Sequence, residues 1–143
     1  MVGGQYIDVS GTAPGGADGL RRLHELKTGR LIGASIECVL LLDGNQPASH
    51  AAAFREFAED LGVLFQIVDD ILDVTGSSRE LGKQEGADER LGKRTYVTEF
   101  GLDGARRLAD ECHGRARAAL AEAAPDGAEE LERITDFIAR RSY

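Results

Sequence analysis

Apolar positions recur at helical spacing along most of the chain, and the exceptions mark where elements end. Leu20, Leu23, Leu26 and Leu31 follow a period near 3.6, which predicts a helix from about Asp18. Gly29, after Lys27-Thr28, ends or kinks that helix. A second apolar helix is predicted over 31–42, and Asp43-Gly44-Asn45-Gln46-Pro47 breaks it. The longest periodic segment runs over 48–74, with Phe54, Phe57, Ala58, Leu61, Leu64, Phe65 and Val68 as its apolar stripe. At 1.5 Å per residue it is about 40 Å long. Residues 75–94 are polar and Gly-rich and read as a loop with at most a short helical turn. Two further helices are predicted over 102–123 and 128–140, split by Ala124-Pro125-Asp126-Gly127. Residues 11–19 form a loop, and 1–9 read as the end of an element. No convincing strand is present, since β-branched runs such as 6–9 are too isolated to build a sheet. The pattern therefore predicts an all-α chain.

Within the long helix one polar group interrupts the apolar run. Gln66, Asp69, Asp70 and Asp73 stand at i, i+3, i+4 and i+7, offsets that fall on one helix face. Like charges stacked this way repel, and the negative end of the helix dipole adds to the repulsion. A cation among them relieves both. Oxygen-only ligands suit Mg²⁺, which takes a few carboxylates, keeps some waters and bridges to substrate phosphates. Taken alone, the same cluster is equally a solvated acidic helix end.

Composition narrows the alternatives. The 143 residues, 42% hydrophobic and 29% charged, fit one soluble domain, residues 1–143, with a real core. The longest mid-chain apolar run, 38–42, is too short for a membrane span. No basic-then-apolar leader stands at Met1, so a cytoplasmic location is expected. Cys38 and Cys112 lack CxxC partners and read as reduced, buried or half-buried thiols. His50 and His113 have no partners at zinc spacing, and His24 reads as structural or exposed. The net charge of −8 argues against nucleic acid as a partner. It does not argue against a small anion, because Arg79, Lys83, Arg90, Lys93 and Arg94 follow the carboxylates.

The ordered motifs resemble those of the trans-isoprenyl diphosphate synthases, the polyprenyl synthetase family. Phe65-Gln66 followed by Asp69-Asp70-Ile71-Leu72-Asp73 resembles the family's second aspartate-rich motif. Gly4-Gln5 with Asp8 resembles its GQxxD element, and Lys27-Thr28-Gly29 its KTG. Leu81-Gly82-Lys83, Gly86-Ala87-Asp88 and Gly92-Lys93-Arg94-Thr95-Tyr96 resemble the lysine-bearing loop that follows. The resemblance covers nearly the whole chain. It implies an antiparallel helical bundle of the isoprenoid synthase type around a deep cavity, with two aspartate-rich helices holding Mg²⁺ between them. It also implies condensation of isopentenyl diphosphate with an allylic diphosphate.

By the same resemblance Asp69, Asp70 and Asp73 are expected to face the metal. Lys27, Lys83 and Lys93 are expected to bind or neutralise diphosphate oxygens, and Thr28 and Gln66 to position the ionising group. Singly, each lysine reads as an ordinary surface residue. The first aspartate motif is absent, so the chain reads as the carboxy-terminal half of the fold. The expected partners are an identical chain or an amino-terminal half, with no nucleic acid and no stable membrane insertion. The alternative is a non-catalytic half or subunit that docks on a complementary or full-length synthase.

Overall fold

Two long helices with matching heptad-like stripes make the core of the computed structural model, which describes residues 2–12, 16–76 and 94–141. The elements are α1 (Val2–Ser10), α2 (Gly16–His24), a π-helical turn (Glu25–Gly29), α3 (Arg30–Asp43), α4 (Ala48–Thr75), α5 (Tyr96–Ala123) and α6 (Glu129–Arg140). No strand occurs among the described residues, as the periodicity predicts. None of their helices is long and apolar enough to cross a membrane.

On α4 the buried residues Phe57, Leu61, Leu64, Val68 and Ile71 step by four, three, four and three. On α5 the small residues Ala105, Ala109, Cys112, Ala116 and Ala119 repeat the same steps and are also buried. Large side chains on one helix thus sit against small ones on the other, which favours close packing at a shallow crossing angle. The pair runs antiparallel. Tyr96 at the start of α5 meets Asp70 near the end of α4, and further along Arg115 pairs with Asp60 at 2.9 Å.

α6 lies antiparallel on α5, joined by His113 Nε2 to Asp136 Oδ1 at 2.8 Å and Arg117 to Glu132 at 2.9 Å. α3 is antiparallel to α4, with Arg55 donating to both oxygens of Glu37 at 2.7 and 2.9 Å.

Four features depart from the expectations. The helix after the loop begins at Tyr96, and the 102–123 segment is its part beyond a kink at Gly101 (φ 70°, ψ 165°). Thr95 caps the first part: its hydroxyl accepts from the Thr98 N–H, while its own N–H donates to the Thr98 hydroxyl. Of the two outcomes expected at Gly29, a helix end is not what occurs; it closes a π-helical turn, an irregularity of the kind that kinks helices, and the chain runs from α2 into α3 without a break. Phe65, placed in the apolar stripe by spacing, is 36% exposed. Cys38, expected to be at least half-buried, is exposed, whereas Cys112 is buried.

α1 and α3 lean on the core without being sealed by it. Val2, Tyr6 and Val9 of α1 and Leu31, Val39, Leu41 and Leu42 of α3 are exposed, and α3 has no buried residue. Burying one such side chain fully is worth about 1.5–3 kcal/mol, so these faces carry an unspent driving force for association.

Candidate diphosphate and metal site

The site is built where α1, the π-helical turn and the last four turns of α4 meet. α4 supplies Gln66, Asp69, Asp70 and Asp73, which do not share one environment. Asp69 is exposed, Asp73 is half-buried and Asp70 is 3% exposed. Successive residues on a helix are about 100° apart, and Asp70 falls on the side of the buried Ile67 and Ile71, whereas Asp69 falls with Phe65.

Both oxygens of Asp70 are engaged. The side-chain amide of Gln66 donates to Oδ1 at 2.9 Å, and the backbone N–H of Tyr96 donates to Oδ2 at 2.7 Å. This carboxylate therefore ties α4 to the first turn of α5. Among the described residues, no three His, Cys, Asp or Glu side chains converge as a metal cage requires. Mg²⁺ needs no such cage. It is commonly held by one or two carboxylates together with waters and substrate phosphates, and exposed Asp69 with half-buried Asp73 one turn on is of that donor type.

Lys27 and Thr28 lie in the π-helical turn. Single π turns inside α-helices are rare and often accompany function. The Lys27 ammonium pairs with Asp8 at 2.7 Å, where the Asp8 side chain is 10% exposed. Asp8 lies one turn after Gly4 on α1, so the GQxxD-like element meets the KTG-like element directly. Gly29 faces Gly62 of α4: a methyl group added to Gly62 would lie 3.0 Å from the Gly29 Cα. Gly62, Gln66, Asp69 and Asp73 share one stripe of α4, at steps of four, three and four. The turn that carries Lys27 and Thr28 thus packs on α4 at Gly62, one helical turn before Gln66. Lys83 and Lys93 lie outside the described residues, as do the 81–83 and 86–88 motif segments.

Two residues acquire roles that spacing did not reveal. His24, read as structural or exposed, is buried, and its ring stacks on Tyr96 with centroids 5.5 Å apart. Tyr96 is buried as well, and burial pushes its phenol up to about 12. The stack joins the end of α2 to the same α5 turn that Asp70 holds. Beside these elements a groove of about 750 Å³ opens between α3 and α4. Arg30 pairs with Glu25 at 2.8 Å and Arg55 with Glu37 at 2.7 Å along it, and Arg21 also lines it.

The chain is similar to known proteins over nearly its whole length. The family model described as Polyprenyl synthetase matches residues 1–134. The chain is 37% identical over 145 residues to the farnesyl diphosphate synthase of Escherichia coli K12, covering 99% of this chain and 48% of that protein. It is 38% identical over 143 residues to a chloroplastic geranylgeranyl pyrophosphate synthase of Catharanthus roseus, covering 99% of this chain and 40% of that one. A solved geranyltransferase of Helicobacter pylori, complexed with magnesium and isoprenyl diphosphate, superposes with a TM-score of 0.77 at 28% identity. That match covers 98% of this chain and 46% of the other. The chain thus spans less than half the length of the curated relatives it matches.

Proposed function

We propose, from the premise that this chain belongs to the polyprenyl synthetase family, that it carries the diphosphate-binding half of a trans-prenyltransferase site. The reaction is condensation of isopentenyl diphosphate with an allylic diphosphate. The allylic C–O bond breaks and its electron pair leaves with the diphosphate. The double bond of isopentenyl diphosphate then attacks the allylic cation, and a proton is lost to restore a double bond.

The observation that carries this reading is the packing of the Lys27–Thr28 turn on the α4 stripe through Gly29 and Gly62. This packing supports a reading in which a cation and a hydroxyl from the turn serve the same diphosphate as the carboxylates of α4. Negative charge grows on the leaving oxygens as the bond breaks, and fixed positive groups around them lower the barrier. Lys27 supplies a compact ammonium for this, Thr28 a hydroxyl donor and Gln66 an amide that orients the ionising group. Lys83 and Lys93 add further ammonium groups by their place in the sequence. Asp69, Asp70 and Asp73 would hold Mg²⁺. When bound, the metal neutralises part of the charge on the diphosphate oxygens.

The exposed apolar faces of α1 and α3 favour a second reading, in which the chain acts by docking on a complementary or full-length synthase. One assay separates the two. The purified chain is supplied with Mg²⁺, an allylic diphosphate and radiolabelled isopentenyl diphosphate. Prenyl product from the chain alone supports an autonomous enzyme. Product that appears only on adding an amino-terminal half carrying an aspartate-rich helix supports the docking reading. No Mg²⁺-dependent pyrophosphate binding in any combination overturns both.

A further inference from the structure

Residues without side chains grip the turn that carries Lys27. On α1, a methyl group added to Gly4 would run into the Lys27 backbone nitrogen and would lie 2.6 Å from the Leu26 carbonyl carbon and 2.7 Å from the Lys27 Cα. Only glycine permits that approach. One turn later on the same face, Asp8 holds the Lys27 ammonium at 2.7 Å. α1 thus fixes Lys27 at both ends, backbone and tip. On the opposite side, Gly62 admits the backbone of Gly29, with 3.0 Å left for an added methyl group against the Gly29 Cα and 3.8 Å against Ile32 Cδ1. A contact at 3.0 Å with backbone cannot be relieved by rotating a side chain, so the turn itself must move.

We infer that Gly62 and Gly4 are positioning residues that clamp the π-helical turn from two sides and thereby set Lys27 and Thr28 against the diphosphate face of α4. The inference rests on the diphosphate reading above and adds residues that touch no ligand. Gly62 lies seven residues before Asp69, about 10 Å along the helix axis. A displaced Gly29 therefore shifts Lys27 and Thr28 relative to carboxylates that stay in place. Gly114 of α5, where nothing lies within 4 Å of an added methyl group, is the control for glycine-to-alanine exchange in a helix.

The test uses the full 143-residue chain and the variants Gly62→Ala, Gly4→Ala, Gly114→Ala, Lys27→Ala and Gly62→Ala/Lys27→Ala. The first readout is the amide ¹H–¹⁵N resonances of Lys27 and Thr28, which need no ligand. The second is calorimetric titration with pyrophosphate in Mg²⁺. Gly62→Ala is expected to keep a cooperative melt, because alanine is the better helix former. It should move the two resonances and weaken pyrophosphate binding about tenfold or more, as small misplacements do. Gly114→Ala should do neither. Gly62→Ala/Lys27→Ala should lose less than the sum of the two single losses, because the Gly62 change acts in part through Lys27. Additive losses would mean that Gly62 acts elsewhere and would overturn the inference. Unmoved Lys27 and Thr28 resonances in both Gly62→Ala and Gly4→Ala would overturn it as well, whatever the chain binds. A wild-type chain that binds no pyrophosphate would instead sink the diphosphate reading, and the resonances would still decide the clamp.

Discussion

The Asp70 carboxylate accepts the backbone N–H of Tyr96 at 2.7 Å, across a sequence gap of 26 residues. The motif residue nearest the core is therefore also the strap between the two longest helices. This separates what each aspartate contributes and makes the three distinguishable by mutation.

Asp70→Ala removes the acceptor of two buried donors. An unsatisfied buried donor costs about 1–3 kcal/mol, and bonds to a charged acceptor lie at the upper end. The expected loss is about 3 kcal/mol, a fall in melting temperature on the order of 10 °C. Asp70→Asn should lose far less, since its carbonyl still accepts from Tyr96 and the Gln66 amide can flip to face the new NH₂. Equal melting temperatures for wild type and Asp70→Ala would contradict the strap.

Asp69→Asn and Asp73→Asn each remove one carboxylate from α4, and Asp69→Asn, at an exposed position, should leave thermal stability within about 0.5 kcal/mol. Removing one of two like charges at i, i+4 should, if anything, stabilise slightly. Mg²⁺-dependent pyrophosphate binding should weaken about tenfold or more in each, the loss expected for a charge-assisted contact. Calorimetric isotherms superimposable on wild type would remove both residues from the metal assignment.

Tyr96 makes the chain sensitive to alkali in a defined window. Its phenol is held up to about 12, against an ordinary 10.0, chiefly by burial. Between these values the unfolded chain has released the proton and the folded chain has kept it, so stability falls as pH rises. The contribution is complete below pH 10 and is lost by about pH 12, some 2–3 kcal/mol in all. Tyr96→Phe should flatten that part of the curve, as read by urea unfolding at stepped pH. A slope identical to wild type would count against the buried phenol as its source.

The open faces of α1 and α3 predict association of the isolated chain. Apolar stripes of this extent on a small protein drive self-contact unless something covers them. Sedimentation should show dimers or larger species at micromolar concentration. Val39→Lys combined with Leu42→Lys should shift the distribution to monomer without lowering the melting temperature, because neither residue is buried. A wild-type chain that sediments as a single monomer would dispose of this prediction.

Much of the fold can be read from spacing, for a physical reason. Phe57, Leu61, Leu64, Val68 and Ile71 keep their period because that face meets α5, and the alanines of α5 keep theirs because it meets α4. The helix over 102–123 was legible for the same reason. Its first turn was not, because Thr95 and Thr98 cap it with two hydroxyls rather than the usual Ser/Thr and Glu/Gln pair. Periodicity also failed for Phe65, which sits among apolar neighbours yet shares its side of α4 with Asp69.

At the site, the pattern put four polar residues on one face but could not say which aspartate turned inward. That depends on where α5 starts, a tertiary fact. The link between Asp8 and Lys27 and the stacking of His24 on Tyr96 join segments far apart in the chain, and no local window contains them. The family resemblance supplied the motif set. The contacts that bind those motifs together came from the structure.

Cys112 is buried against Arg115, and burial raises its thiol above the ordinary value, so little of the reactive thiolate forms there. Cys38 stands open on α3, beside Val39 and Leu41. A maleimide fluorophore will therefore label the native chain at one place. That place lies on the surface whose covering is in question, and the dye's emission colour would report, without any engineered residue, the moment a second protein seats there.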